Sequence, residues 1–231
     1  MTIAENINAV QERIRAAEQA AGRESGSVQL LPVSKFHPAS AIREVAACGI
    51  TLVGENREQE ARDKAAELGD VCGIAMIGQI QTKKANAVAR WAAEVHSLDS
   101  VRLADGLNRG MALALERGDR TSEILPCMIQ VSFDGDTARG GVALDGVGEL
   151  AEVVEKHEHL ALKGFMVVPP LDADPTKVFA ELRLLTDAYA NQLHRPLKLS
   201  AGMSGDFEQA IACGSDIVRV GTAVFGPRPV G

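Results

Sequence analysis

The stretch LKLSAGMSGDFEQAIACGSDIVRVGTA, residues 197–223, holds the pattern that decides the fold. Its two short apolar runs, residues 197–200 and 217–220, are typical of buried strands, and residues 206–213 between them are predicted to form a helix. A strand followed by a helix and a further strand is the repeating unit of parallel α/β proteins. This stretch therefore predicts two parallel strands joined by a crossover helix.

The same alternation of strand and helix extends outward through the rest of the chain. Further strands are predicted at residues 28–34, 51–54, 73–77, 94–97, 124–131 and 160–167. Helices are predicted at residues 38–47, 57–68, 83–91, 100–116, 146–157 and 175–193, with an additional helix at residues 4–21 before the first strand. Eight such units over 231 residues are typical of an α/β protein with a (β/α)8 TIM barrel. A doubly wound open sheet is the alternative.

Composition limits the class of protein and its partners. Hydrophobic residues make up 46% and charged residues 24% of the chain, as in ordinary folded domains. The formal net charge of −7 argues against general binding to nucleic acid or to anionic membranes. The longest stretch without a charge, residues 71–82, is too short to span a bilayer. We therefore expect no nucleic-acid partner and no membrane partner.

The sequence also indicates the domain organisation and the compartment. No linker rich in Pro, Gly or Ser divides the chain, so residues 1–231 are expected to form a single domain. The N-terminus has no basic segment before an apolar one, which predicts a cytoplasmic protein without a secretory signal. The cysteines are far apart and form no Cys-x-x-Cys pair, so neither a zinc site nor a redox motif is predicted. They are Cys48, Cys72, Cys127 and Cys213.

Glycines and hydroxyl residues follow the two strands of the opening stretch. Ser200 ends one strand, and Gly221 and Thr222 follow the other. Active sites of TIM barrels lie at the C-terminal ends of the strands, and bare backbone N–H groups at a helix start bind anions. These residues therefore indicate a phosphate site. The alternative is that the glycines form turns and that Ser204 or Asp206 caps the next helix.

A lysine and an arginine also lie at strand ends of the predicted barrel. Lys35 follows the first strand, where a low-dielectric wall can depress the pKa of an amine and make it nucleophilic. The alternative is an ordinary surface lysine in a salt bridge. Arg219 lies at the end of the last strand. An amine, a phosphate site and an arginine for a pyridine nitrogen are together the set that pyridoxal phosphate (PLP) requires.

Several segments at these strand ends carry a resemblance to a known family. The segments are PVSK (32–35), GENREQE (54–60), IGQIQTKK (77–84), HSLDS (96–100), GFM (164–166), LSAGMS (199–204) and VRVGTAVFG (218–226). Through them the chain resembles the pyridoxal phosphate homeostasis proteins, also called proline synthetase co-transcribed homologues, over nearly its whole length. The last of the segments is the most specific.

The resemblance implies a role for each matching residue. Lys35 would carry PLP as a Schiff base, Arg219 would face the pyridine nitrogen, and Asn56 would border the ring. The phosphate would be held by Ser200, Gly221 and Thr222. The implied fold is a barrel like the N-terminal domain of alanine racemase. The implied function is intracellular PLP homeostasis, in which a monomer holds the cofactor and supplies it to apo-enzymes.

Two enzymatic alternatives remain open: a PLP-dependent amino-acid racemase and a barrel Schiff-base aldolase. A two-base racemase of this fold uses a tyrosine as its second base, but the single tyrosine of this chain, Tyr189, lies in a predicted outer helix. An arginine opposite the ring nitrogen would also weaken the ring as an electron sink. We therefore expect a carrier or regulator rather than a catalyst.

The sequence departs from the family pattern at positions away from the lysine and the phosphate loops. Ala201 stands where the family often has methionine, and Lys83 where it often has asparagine. Ser132 and Arg139 stand where it often has asparagine and lysine. These departures concern the rim of the site rather than cofactor binding.

Two other patterns are assigned structural roles. The run His157-Glu158-His159 ends a predicted helix at the opposite face of the barrel, so no metal site is predicted there. The dinucleotide-like pattern Gly146-x-Gly148-x-x-Ala151 lacks the long preceding strand that such a site needs.

Overall fold

The computed structural model describes residues 1–227 and contains a barrel of parallel strands surrounded by helices. The strands are β1 (Gln29–Pro32), β2 (Leu52–Glu55), β3 (Gly73–Met76), β4 (Glu94–Leu98), β5 (Leu125–Ser132), β6 (Val142–Ala143), β7 (Leu160–Val167), β8 (Lys198–Ser200) and β9 (Ile217–Val220). The two-residue β6 pairs only with β5 and lies off the path of the barrel. The other eight strands correspond to the eight predicted from the sequence.

The order of the strands settles the choice between a barrel and an open sheet. The hydrogen-bonded order is β1-β9-β8-β7-β5-β4-β3-β2, so the first strand lies beside the last. The remaining gap is closed by a parallel bridge between Val33 and Gly54, and the Ser34 N–H donates to the Gly54 carbonyl at 3.0 Å. The predicted (β/α)8 barrel is confirmed, and the open doubly wound sheet is wrong.

The first eight helices follow the predicted positions, with shifts at their ends, and the short ninth helix was not predicted. They are α1 (Ile3–Ala20), α2 (Ala39–Ala47), α3 (Glu58–Leu68), α4 (Ala85–Trp91), α5 (Val101–Glu116), α6 (Val147–Lys156), α7 (Pro175–Leu193), α8 (Phe207–Ala212) and α9 (Thr222–Phe225). The largest shift is at α4, which begins two residues later than predicted because Thr82–Lys84 forms a 3-10 turn. Among residues 1–227, no helix is long and apolar enough to cross a membrane.

The N-terminal helix α1 covers the outside of the barrel where the last unit is short. Up to residue 227, the unit after β9 contains the four-residue α9 as its only helix, and α1 packs against both α8 and α9. Ile7, Val10 and Ile14 of α1 are buried, and the side-chain amide of Asn6 donates to the Val224 carbonyl at 3.0 Å. The extra helix predicted from the sequence thus supplies the apolar cover that α9 is too short to give.

The strands separate an outer apolar layer, under the helices, from the interior of the barrel. Leu31, Ala75, Met128, Met166 and Ile217 form the apolar cluster of the interior. Side chains alternate between the two faces of a strand. The outer layer includes Val218 and Val220 on either side of Arg219, Val95 before His96, and Leu162 before Lys163. These three charged or titratable side chains therefore point into the barrel.

Candidate functional site

A cavity opens where several strands end at the C-terminal mouth of the barrel. It is lined by Val33, Lys35, Asn56, Ile77, Met166, Val168, Met203, Ser204, Arg219, Gly221 and Thr222. Five of the six site residues predicted from the sequence are in this set. The sixth, Ser200, lies behind Arg219 and is fully buried.

Lys35 lies in a tight turn that follows β1. The backbone N–H of His37 donates to the Ser34 carbonyl at 3.0 Å, so the chain reverses direction around Lys35. Phe36 has a φ of 68°, a left-handed conformation that residues other than glycine seldom adopt. Lys35 itself is exposed, and it lines the cavity. Its amine is therefore available to a molecule that enters the mouth.

Arg219 forms the polar wall of the cavity opposite the open side. Its side chain is 4% exposed, and its guanidinium donates to the Ser200 Oγ at 2.8 Å and to the Val167 carbonyl at 2.8 Å. Burial lowers the pKa of Arg219 to about 10, while the negative charge of Asp206 acts in the opposite direction. Arg219 is thus a buried cation fixed by two uncharged acceptors.

Ser200 fixes Arg219 rather than lining the cavity. Its hydroxyl oxygen accepts the hydrogen bond from Arg219, and the residue is fully buried at the end of β8. Its predicted contact with a phosphate stays a prediction. Ser204, which the sequence suggested as a helix cap, instead lines the cavity, and Asp206 is the N-cap residue of α8. The signal that could have found Ser204 is a hydroxyl between two glycines directly after a strand.

The loop after β8 approaches its surroundings so closely that it requires glycine. Gly202 has a φ of 91°, and a Cβ there would lie 2.6 Å from the Ala210 Cβ and 2.9 Å from the Phe207 Cα. The Gly202 carbonyl accepts from the Arg219 backbone N–H at 3.0 Å. The loop is therefore held against β9, which brings Met203 to the same cavity as Arg219.

Asn56 is positioned by a close contact between the ends of β2 and β3. A Cβ on Gly78 would lie 2.0 Å from the Asn56 carbonyl oxygen, so only glycine fits there. Asn56 also lines an adjoining cavity over β5, together with Gln79, Gln130 and other residues. The cavity at the mouth therefore adjoins a second cavity, and Asn56 lies between the two.

A second cluster of charges lies inside the barrel, below Arg219. Lys163 Nζ lies 2.5 and 2.6 Å from the two carboxylate oxygens of Glu94, and His96 Nε2 lies 2.8 Å from Glu94 Oε2. Burial lowers the pKa of His96; Lys163 and Arg219 act in the same direction, and Glu94 opposes them. Burial alone would raise the pKa of Glu94, but its contacts with His96 and Lys163 outweigh this and lower it. The lowered pKa values of His96 and Glu94 both fit a neutral His96 whose Nε2–H donates to an ionised Glu94.

The cavity lining does not include His37, His157 or His159. His157 Nε2 lies 3.0 Å from Asp105 Oδ1, between α6 and α5, and His159 Nδ1 lies 3.2 Å from the Glu123 carbonyl oxygen. His37 stacks on Phe225 with ring centroids 5.0 Å apart. Within residues 1–227, no three His, Cys, Asp or Glu side chains form a group that could hold a metal ion.

The fold and the cavity define a class of protein: a (β/α)8 barrel whose site combines an exposed lysine with a buried arginine at the C-terminal mouth. Residues 6–229 match the family model of the alanine racemase N-terminal domain. An alanine racemase of Corynebacterium glutamicum superimposes with a TM-score of 0.63 at 18% identity, over 97% of this chain and 62% of the enzyme, a likeness of fold alone.

Relatives with higher identity identify the family within that class. The pyridoxal phosphate homeostasis protein of Corynebacterium glutamicum is 53% identical over 96% of this chain and 100% of its own. That of Mycobacterium tuberculosis is 43% identical over 96% and 91%. PipY of Synechococcus elongatus, solved with PLP bound, has a TM-score of 0.79 at 33% identity over 97% of this chain and 100% of its own. The chain belongs to the pyridoxal phosphate homeostasis protein family.

The buried His96 predicts a specific pH dependence of stability. Because its pKa is lower in the folded protein than the usual 6.5, the unfolded chain binds more protons between the two values, and stability rises with pH there. Its contribution is complete above 6.5 and is lost as the pH falls below it, by up to about 1.4 kcal/mol per pH unit. In urea unfolding between about pH 5 and 8, the free energy of unfolding should fall less steeply with falling pH in His96→Gln than in the wild type.

The matched control is His194→Asn, at an exposed position. It should keep the pH dependence of the wild type. Equal slopes for the wild type and His96→Gln would contradict the assignment of a neutral, buried His96.

Proposed function

We propose that this chain binds PLP at the C-terminal mouth of the barrel, as a Schiff base on Lys35, and that its function is PLP homeostasis. The observation that carries the proposal is the cavity itself, where Lys35 and the buried Arg219 lie on one lining together with the loops after β8 and β9. The PLP-bound relative and the names of the homeostasis relatives support it.

The residues present fit the chemical groups of PLP. An aldehyde requires an amine, and Lys35 supplies one: its nitrogen would form the C=N bond, and the aldehyde oxygen would leave as water. A pyridine nitrogen requires a donor, and Arg219, whose bonds to Ser200 and Val167 leave donors unused, would face it. Asn56 would border the ring.

The phosphate of PLP would lie at the loops after β8 and β9. Gly221, Thr222 and Ser204 line the cavity there, and Ser200 holds Arg219 next to them. Hydroxyls and bare backbone N–H groups are the neutral donors that phosphate sites use. We extend the phosphate set predicted from the sequence, Ser200, Gly221 and Thr222, by Ser204.

The structure favours a carrier over a catalyst in two respects. The chain's single tyrosine, Tyr189, lies in α7 with its ring 5.2 Å from that of Phe165, which belongs to the outer layer and not to the mouth. Lys35 is exposed, whereas an enzyme that forms a carbanion excludes water from it. We propose that the whole chain acts as one barrel domain, a cytoplasmic monomer that holds PLP and supplies it to apo-enzymes.

The first prediction concerns the Schiff base. Protein incubated with PLP should absorb in the visible range, and borohydride, which reduces the C=N bond, should fix one cofactor on Lys35. Mass spectrometry of the peptides locates the adduct. Lys35→Ala should carry none, and the control Lys198→Ala, an exposed lysine at the other end of the barrel, should label like the wild type. An adduct on another lysine, or none, would refute the proposal. Labelling by a sugar phosphate without bound PLP would favour the aldolase.

The second prediction concerns the phosphate. Thr222→Ala should weaken PLP binding by about 1 to 3 kcal/mol, because the variant loses one hydrogen bond to a charged group. Titration of the free protein with PLP measures the change. Thr121→Ala, exposed and remote from the mouth, is the control. Unchanged affinity in Ser200→Ala and Thr222→Ala alike would move the phosphate elsewhere.

The third prediction separates a carrier from an enzyme. Protein loaded with PLP should restore the activity of an apo-enzyme that depends on PLP, because an exposed amine permits exchange. It should show negligible racemisation, transamination or decarboxylation of a panel of amino acids. Robust turnover of one amino acid that disappears in Lys35→Ala would identify a catalyst instead.

A further inference from the structure

The two residues on either side of Lys35 are held by charged side chains of α3. Lys64 Nζ donates to the Ser34 carbonyl oxygen at 2.9 Å, and the Phe36 backbone N–H donates to Glu60 Oε1 at 2.7 Å. Neither Lys64 nor Glu60 belongs to the cavity lining. The backbone of Lys35 is therefore fixed on both sides by contacts made outside the cavity.

These two side chains belong to one ion cluster with the last residue of β2. Lys64 Nζ lies 2.5 Å from Glu55 Oε1 and 2.7 Å from Glu60 Oε1, and the Ser34 hydroxyl donates to Glu55 Oε1 at 2.6 Å. Glu55 is fully buried and Lys64 is 7% exposed. At this depth each charge depends on its partners, so the geometry of the cluster is tightly constrained.

The cluster also accounts for the unusual backbone of Phe36. A non-glycine residue with a φ of 68° is strained and persists only where its surroundings hold it. The bond from the Phe36 N–H to Glu60 is one such constraint, and the Arg57 guanidinium, 5.1 Å from the centroid of the Phe36 ring, is another. Both contacts therefore support the turn conformation in which Lys35 lines the cavity.

We propose that Glu60 and Lys64, anchored by Glu55, are positioning residues that hold the Lys35 turn in the conformation from which its amine reaches bound PLP. The inference rests on the proposed function, because it concerns the same lysine. Its chemistry is distinct, since the cluster bonds to the Lys35 turn through the backbone of Ser34 and Phe36 and through the hydroxyl of Ser34. Breaking it should loosen the turn that carries Lys35 while the other residues of the cavity stay in place.

Glu60 offers the sharpest test because it is partly exposed and its loss leaves no buried charge alone. Glu60→Ala removes the acceptor for the Phe36 N–H, whereas Glu60→Gln retains an amide oxygen there. Loss of one such bond is worth about 1.4 kcal/mol, or about tenfold. We expect Glu60→Ala to bind PLP about tenfold more weakly, and Glu60→Gln to restore most of that affinity.

A second readout needs no cofactor. Hydrogen exchange of the Phe36 amide, followed by NMR on the full chain without PLP, should be about tenfold faster in Glu60→Ala than in the wild type. The double variant Glu55→Gln/Lys64→Met removes the donor to the Ser34 carbonyl without leaving a buried carboxylate unpaired, and it should weaken PLP binding as well. Lys177→Met, which breaks the exposed pair of Lys177 with Glu181, is the matched control and should change neither measurement.

The outcomes distinguish this inference from the proposed function. If the wild type forms the adduct on Lys35 but Glu60→Ala binds PLP with unchanged affinity, the inference alone is overturned. A lower melting temperature of Glu60→Ala at unchanged affinity has the same meaning, since the cluster would then be merely structural. If the wild type forms no adduct on Lys35, the proposed function fails and this inference fails with it.

Discussion

The backbone pairing of the first strand with the last is the constraint on which the site depends. In this pairing Leu31 lies opposite Arg219 and Pro32 opposite Val220, and the Val33 N–H donates to the Val220 carbonyl at 2.9 Å. The segments that follow β1 and β9 are far apart in the chain, but this pairing places them side by side at the mouth of the barrel. Lys35 lies just past the end of β1, so this register brings it to the same cavity as the loop after β9. A shift of one residue would turn Arg219 from the interior to the outer layer.

Much of the fold could be predicted from the sequence because each unit carries its own local signal. Short apolar runs and helical spacing depend on neighbouring residues alone, and these signals placed all eight strands of the barrel. The two-residue β6 gave no such signal, since it exists only through its pairing with β5. The short α9 gave no signal either, because four residues are too few to show helical spacing.

The candidate site could also be predicted only in part from the sequence. The rule that barrel sites lie at strand ends was enough to select Lys35 and the residues that follow β9, whereas the role of Asn56 came from the family resemblance. It could not separate Ser200 from Ser204, because only the packing shows that one hydroxyl accepts from Arg219 while the other lines the cavity. The cluster around Lys64 was missed for a similar reason. Lys64 is four residues after Glu60, the spacing of an ordinary surface ion pair on a helix. Only the burial of Glu55 shows that this pair belongs to a buried cluster.

The buried charges of Lys163 and Arg219 are compensated in different ways. Glu94 neutralises Lys163 in the interior, while Arg219 has only uncharged acceptors in its two side-chain hydrogen bonds. An unneutralised cation at this depth is costly unless a further group satisfies it. Arg219 lines the cavity and has donors left after its two bonds to uncharged acceptors. It therefore favours a ligand that brings its own acceptor, as a pyridine nitrogen does.

The two key side chains of the mouth are held by different means, and the difference bears on function. Arg219 is fixed through its own guanidinium, whereas the contacts around Lys35 are made to the backbone of Ser34 and Phe36. Fixing the backbone sets where the lysine side chain begins but leaves its amine exposed to water and to other amines. A catalyst would need that amine and the atoms it reacts with to be enclosed. A carrier needs the reverse, because the bond it makes to its cargo must also be open to exchange.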